Sequence, residues 1–257
     1  MNRHPESLLS QLKQGFIIPD WPAPENVQAL STTRQGGVSE ANWRGLNLGT
    51  HVDDDPEHVN TNRELLQQAA GLSIEPFWLN QVHSNTVADA SCDGVPDADA
   101  STATSAGSVC VVMTADCLPL LMCDTDGTTV AAVHAGWRGL ESGVIENALT
   151  HFRGKEVLVW LGPAISAAAY EVDDALRERF LALDDMFSEA FTEGRPGHWQ
   201  FDLYAAARSI LRSNGVANIY GGNFCTFEDQ RFYSHRRDGS AGTHTGRQAS
   251  LIRLMAD

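Results

Sequence analysis

Apolar and polar positions change period several times along the chain, and each change predicts an element. In "VQALSTTRQGGVS", residues 27–39, β-branched and apolar residues give way to Gly36 and Gly37, so a strand runs into a turn with Arg34 beside it. "DDDPEHVNTNRELLQQAAG" predicts a helix over about residues 56–70, with Asp55 as N-cap, Pro56 at the first helical position and Gly71 as the stop. "PFWLNQVHSNTVAD" reads as extended. "GSVCVVMTADCLPLLMCD" is a nearly continuous apolar run interrupted at Asp116-Cys117 and Pro119, the pattern of two buried strands with a break between them. A third strand, "TTVAAVH", feeds directly into "AGWRGLESGVIENALTHF", where Leu140, Val144, Ile145, Ala148 and Leu149 recur at helical spacing. His134 therefore falls where a buried strand hands over to a helix.

The second half continues with a strand in "EVLVWLGPAI", a helix starting near Val172-Asp173, and a helix in "FDLYAAARSILRSNG" that ends at Gly215. Strands in "IYGGNFC" and "ASLIRLM" flank an arginine-rich loop. No internal repeat and no long Pro, Gly or Ser linker divides the chain. The pattern predicts one mixed α/β domain over residues 1–257, residues 1–16 being an N-terminal extension.

Composition narrows the function classes. With 257 residues the chain can bury a sizeable core without disulfide or metal staples. No apolar run approaches the roughly 20 residues needed to span a bilayer, and the N-terminus lacks a basic segment followed by an apolar one, so a cytoplasmic location is expected. The five cysteines, Cys92, Cys110, Cys117, Cys123 and Cys225, are scattered and show no C-x-x-C pair, as expected of reduced thiols. A net charge of −15 argues against nucleic acid as a partner. An anionic substrate would need a local pocket, and "RFYSHRRDGSAGTHTGRQ" gathers Arg231, Arg236, Arg237 and Arg247 for one.

His83 in "NQVHSN", Cys117 in "TADCLP" and His134 in "VHAGWRG" are candidate metal ligands. One thiolate and two imidazoles form a borderline-soft set suited to zinc, and three protein ligands leave a fourth position for chemistry. The spacing itself is equally compatible with a small core cysteine and hydrogen-bonded structural histidines.

The motifs "STTRQGGVS", "LNLGTHV", "NQVHS", "TADCLPLL", "AAVHAGWRG", "LGPAI" and "SHRRD" with "TGRQAS" occur in order. Together they resemble the laccase-domain family, also called the multicopper polyphenol oxidase-like or peptidoglycan editing factor family, whose members are described as purine nucleoside phosphorylases. The resemblance runs from about residue 17 to the C-terminus. It implies a single layered α/β domain with mixed sheets flanked by helices, similar to cytotoxic necrotizing factor catalytic domains. It also implies one zinc ion per chain on His83, Cys117 and His134, with copper the lesser alternative. The chain departs from the family at His235, where a tyrosine is usual before "RRD", and in the longer "GSAGTHTGR" connection.

Roles for the neighbours follow from their chemistry. Cys117, His134 and Asp116 are the catalytic candidates; Asp116 would orient a ligand or trade protons, or serve as an ordinary turn carboxylate. Arg34, Asn47, Arg63 and Arg138 match the family's polar positions, and an arginine fork suits phosphate or a purine edge as well as a surface ion pair. The amides of Gly136 and Gly139 would face an anion or allow tight packing. His51, His235 and His244 are substrate-facing or structural.

Three reactions compete. The resemblance implies phosphorolysis of adenosine, inosine or methylthioadenosine, with adenosine deamination as an accompanying activity, although the chain lacks the H-x-E and P-C-x-x-C signature of ordinary zinc deaminases. A cysteine hydrolase acting on a peptidoglycan precursor would use the same Cys117 and His134. Copper-dependent phenol oxidation needs more clustered histidines than these two. A zinc-stabilised binding module is the non-enzymatic alternative.

Overall fold

A computed structural model describes residues 5–239 and 244–256 of the protein. The chain begins with α1 (Pro5–Gly15), β1 (Val27–Ser31), α2 (Pro56–Ala69), β2 (Val87–Asp89), β3 (Ala100–Ala103) and β4 (Val109–Thr114). It continues through β5 (Leu118–Asp124), β6 (Val130–Ala135), α3 (Trp137–Ser142), α4 (Val144–Leu149), β7 (Val157–Leu161), β8 (Glu171–Asp173) and α5 (Asp174–Leu183). The last elements are β9 (Phe191–Glu193), β10 (His198–Phe201), α6 (Leu203–Ser213), β11 (Asn218–Gly221), a short α7 (His235–Asp238) and β12 (Gln248–Leu254). Residues 240–243, within the "GSAGTHTGR" connection, and residues 1–4 of the expected extension lie outside the described residues.

The apolar run 109–124 is buried on both faces, and its alternation sorts side chains into separate cores. Val109, Val111 and Met113 of β4 join Leu30, Leu251 and the helix residues Leu8, Leu12, Leu65 and Leu66. Cys110 and Val112 point the other way, meeting Leu121 and Cys123 of β5, Val130 and Ala132 of β6, and Ile252. Leu118, Leu120 and Met122 then face Val144, Ile145, Phe180, Ala207 and Ile210. These three cores separate four layers. Helices α1 and α2 cover a three-stranded sheet, β1-β12-β4, which packs on a six-stranded sheet, β11-β7-β5-β6-β3-β2, whose far face is covered by α3 to α6. A third sheet, β8-β10-β9, borders that outer layer. The large sheet is mixed: β11 and β7 run parallel, as do β2 and β3, while β7, β5, β6 and β3 pair antiparallel.

The expected helix α2 forms with its signals in place. The Asp55 carboxylate accepts from the Glu57 amide at 2.9 Å, Pro56 opens the helix, and Gly71 follows it at φ 62°. Asp202 caps α6 in the same way, accepting from the Ala205 amide at 3.0 Å. Two expectations are corrected. The run after His134 is not one helix but two, because Gly143 adopts φ 88°, ending α3 and starting α4. "PFWLNQVHSNTVAD" is mostly irregular: only Val87–Asp89 joins a sheet, with isolated bridges at Phe77 and Asn80. Its backbone groups are met by a carboxylate instead of a ladder, as described below.

At the far end of β5, Asp124 is fully buried and accepts from the amides of Thr128 and Thr129 at 2.7 and 3.0 Å. Lys155 Nζ approaches it at 2.7 Å. Burial pushes the Asp124 carboxyl up, but these donors outweigh it and hold it at about 2. Among the described residues, no helix is long and apolar enough to cross a membrane.

Candidate active site

Register explains why Cys117 and His134 meet. β5 and β6 are antiparallel with Leu118 opposite Ala135 and Pro119 opposite His134, so the residue entering β5 lies beside the end of β6. β3 pairs with the other edge of β6, with Ala100 opposite Val133, which brings Asp99 alongside His134. The loop carrying His83 folds over this junction. The ligand atoms of His83, Cys117 and His134 all lie within 4.8 Å of one another. The two imidazole rings meet edge to face with centroids 4.9 Å apart. Among the described residues this is the one group of three His, Cys, Asp or Glu side chains so placed.

The donor set fits a metal. His134 is buried, and its Nδ1 lies 2.8 Å from Asp99 Oδ1. Burial pushes the imidazole down, but Cys117 and Asp99 outweigh it and raise it to about 9. With Asp99 holding the Nδ1 proton, Nε2 is the nitrogen that would give up its proton to hold a metal. Burial pushes the Cys117 thiol up, but the hydrogen bonds and charge of His134 and His83 reverse this and bring it down to about 6. Gly136 is needed at the junction: a Cβ there would come 2.8 Å from Cys117 Sγ and 3.4 Å from His83 Cδ2. Close approach to the thiol is therefore the role of this glycine. Gly139 serves packing, since a Cβ would press Val144 Cγ1 at 3.2 Å.

Asp99 was not among the residues singled out from the sequence. Its carboxylate is fully buried and also accepts from the backbone amides of Val82, His83 and Ser84 and from the Ser84 hydroxyl. The available signal was a charged residue opening a strand of small buried side chains, "DADASTA", where a carboxylate demands partners. Nothing in the spacing tells which partners those are.

The three ligand candidates sit in a cavity of about 440 Å³, within the range that takes small molecules. Its walls include Arg138, Arg236, Arg247, Trp137, Tyr170, His51 and His235. Arg138 stacks 4.3 Å from the Trp137 ring centroid and Arg236 lies 5.1 Å from that of Tyr170. His51 is held down at about 4 by burial and by the neighbouring charges of Arg247 and Arg63, so it is neutral at pH 7. His244 lies outside the lining, 3.4 Å from Asp53.

Of the four polar residues expected to touch substrate, Arg138 lines the cavity and Arg34, Asn47 and Arg63 do not. Their polar groups contact the scaffold, as in part do those of Arg236, which donates to the Glu171 carbonyl, and Arg247, which donates to the Thr245 and Gly246 carbonyls. Arg34 donates to the Arg44 carbonyl, lies 3.9 Å from the Asp238 carboxylate and stacks 4.6 Å from the Tyr233 centroid. Both Nε and an Nη of Arg63 donate to the Leu48 carbonyl, and its guanidinium lies 3.8 Å from the Trp78 centroid. Asn47 is fully buried; its Oδ1 accepts from the amides of Gly49 and Arg247. It thereby anchors the backbone of Arg247, an arginine that does line the cavity.

Asp116 lines the cavity in a left-handed conformation, φ 91°. Its two oxygens accept from Thr226 Oγ1 at 2.6 Å, Ser234 Oγ at 3.0 Å and the Arg236 amide at 2.6 Å. These bonds clasp the C-terminal arginine segment to the β4–β5 turn.

Comparison with known proteins agrees with this architecture. Residues 28–255 match the model of the family described as multi-copper polyphenol oxidoreductase laccase. The chain belongs to that family. Relatives of the laccase family include a purine nucleoside phosphorylase of Pseudomonas aeruginosa, 49% identical over 93% of this chain and 98% of its own length. Purine nucleoside phosphorylase YfiH of Escherichia coli is 46% identical over 93% of this chain and 99% of its own. Among solved structures, a Neisseria meningitidis protein superposes with a TM-score of 0.89 at 48% identity, covering 94% of this chain and all of its own. YlmD from Geobacillus stearothermophilus gives 0.86 at 28% identity, covering 94% and 97%. The mixed α/β fold and the family expected from the motifs are both found.

Proposed function

We propose that this chain is a zinc-dependent purine nucleoside phosphorylase that cleaves adenosine, inosine or methylthioadenosine with phosphate, and that it also deaminates adenosine. The observation that carries the reading is one cavity with two chemical faces: His83, Cys117 and His134 on its floor, and Arg138, Arg236 and Arg247 on its walls. The names of the Pseudomonas and Escherichia relatives support the same activity.

His83, Cys117 and His134 would hold the zinc. Bound there, zinc supplies a Lewis acid in a site whose three protein ligands leave a position open. One thiol and two imidazoles suit zinc, whereas several copper ions would need more histidines than this group contains. In phosphorolysis a phosphate oxygen bonds to the sugar's anomeric carbon as the glycosidic bond breaks, and the purine leaves with the bonding pair and takes up a proton. The wall arginines provide what phosphate needs: fixed positive charge and forked donors. Trp137 and Tyr170 line the same cavity and give it an aromatic side. A cytoplasmic setting belongs to the same reading, since all five cysteines are unpaired.

The test is to incubate metal-analysed protein with adenosine, with and without phosphate, and separate the products. Adenine and ribose 1-phosphate formed only with phosphate, with inosine formed in either case, is the expected result. A second reading, a cysteine hydrolase, draws on the lowered Cys117 thiol beside His134. Chelation separates the two: it abolishes zinc-dependent phosphorolysis, whereas it spares or activates a free thiolate nucleophile.

A further inference from the structure

We propose that Asp99 is the positioning residue of the metal centre, one buried carboxylate that fixes both histidines at once. The inference rests on the reading of His83, Cys117 and His134 as a zinc site. On one side, Asp99 Oδ1 accepts a hydrogen bond from His134 Nδ1–H at 2.8 Å, while the Asp99 carbonyl accepts from the His134 amide at 2.7 Å. Ring and backbone of the same histidine are therefore held by one residue. The ring is fixed as the Nδ1–H tautomer, with Nε2 directed away from the carboxylate toward the other two ligands.

On the other side, the carboxylate gathers the loop that carries His83. The amides of Val82, His83 and Ser84 approach it at 3.2, 3.0 and 2.5 Å, and the Ser84 hydroxyl at 2.8 Å. Three successive amides on one carboxylate form an anion-binding concavity. His83 itself sits at φ 60°, a left-handed conformation that a side chain other than glycine adopts only when its surroundings impose it. The Asp99 carboxylate accepts the amides of this residue and of its neighbours on both sides. His83 is exposed, and its loop joins no strand until Val87, so without this anchor its ring would lack a fixed aim.

The isosteric change Asp99→Asn keeps one accepting oxygen, but the NH2 it introduces would oppose the amide donors that now converge. Either His134 or the His83 loop must then give way. Zinc affinity should therefore fall about 10- to 100-fold in Asp99→Asn, the range for losing a ligand's outer partner. A carboxylate that merely braces the loop would lower the melting temperature of the metal-free protein and leave zinc affinity unchanged.

The experiment is chelator competition with zinc on wild type, Asp99→Asn and Ser84→Ala, beside melting of each metal-free protein. Ser84→Ala removes one donor and keeps the carboxylate, so it is expected to retain zinc within a few-fold. Equal affinity in wild type and Asp99→Asn overturns the inference and leaves the zinc reading standing. A wild type that binds no zinc overturns the zinc reading, and this inference with it. Should Asp99→Asn fail to fold, histidine-labelled, zinc-loaded wild type gives the answer by nitrogen NMR. A proton on Nδ1 of His134 is the expected result, and a proton on Nε2 overturns the inference.

Discussion

On the cavity floor, Cys117 and His134 come from neighbouring strand ends placed by register, and His83 from a loop that the Asp99 carboxylate ties to them. Arg138, Arg236 and Arg247, on the walls, come from a helix start and two distant C-terminal segments, placed by side-chain clasps: Asp116 on the Arg236 amide and Asn47 on the Arg247 amide. A floor set by register tolerates little change at the ligands. A wall set by clasps separates residues that look alike in sequence into those that face the cavity and those that hold it together. Arg34 and Arg247 are both motif arginines beside glycine or polar residues, yet only Arg247 lines the cavity.

That contrast can be broken most sharply at the floor. Cys117→Ala should remove the single zinc and lower kcat/KM by more than about 100-fold, beyond the loss of an outer partner. Elemental analysis and turnover on folded protein check it, and a variant that keeps both would place the metal elsewhere. On the wall, Arg247→Lys keeps the charge and discards the fork. It should lose about 1.5 to 3 kcal/mol of transition-state binding, roughly 10- to 150-fold in kcat/KM at matched zinc occupancy. Gly136→Ala tests the steric side of the floor. Its backbone, φ −74°, accepts alanine, but the methyl meets Cys117 Sγ, so zinc should bind about tenfold more weakly with folding retained.

A buried carboxylate outside the cavity supplies the control. Asp124 is held at about 2, below the 3.8 of an ordinary aspartate, so its contribution is present above pH 4 and is lost as pH falls toward 2. Asp124→Asn should cost on the order of 1 to 2 kcal/mol at pH 7, discounted because Lys155 is 31% exposed and screened by solvent. Denaturant melts from pH 7 to pH 2 should show the gap from wild type closing, with zinc binding unaltered at neutral pH. The smallest effect belongs to Arg34→Lys, whose partners are a carbonyl, a tyrosine ring and the Asp238 carboxylate at 3.9 Å. Its kcat/KM should stay within about twofold of wild type, and a large loss would return Arg34 to the substrate.

The strands and capped helices were legible because their signals are local: the two-faced burial of 109–124, Asp55 and Pro56 before α2, Gly215 after α6. The ligand triad was legible as chemistry at strand ends, and the motif resemblance joined its members. What stayed hidden depends on partners far apart in the chain. Nothing near Asn47 tells that its amide oxygen will be taken by the amide of Arg247, and nothing near Asp99 points to His134. The irregular course of residues 77–86 was hidden for the same reason, since a carboxylate from another segment satisfies its amides.

The small sheet has a consequence for how the molecule comes into being. Its central strand, β12, is the last element described, inserted antiparallel between β1 and β4 with Leu30 and Val111 both opposite Leu251. Until residues 248–254 arrive, the facing edges of β1 and β4 have no partner, and Arg247 has not reached the cavity. Pairings across more than two hundred residues form slowly, because chain closure must precede any reward. During synthesis on the ribosome the larger sheet can close first, leaving the smaller one as an open, apolar-faced pair of edges. A nascent chain halted before residue 248 would hold every floor ligand and still lack this seam, leaving the β12-facing edges of β1 and β4 open to wrong partners.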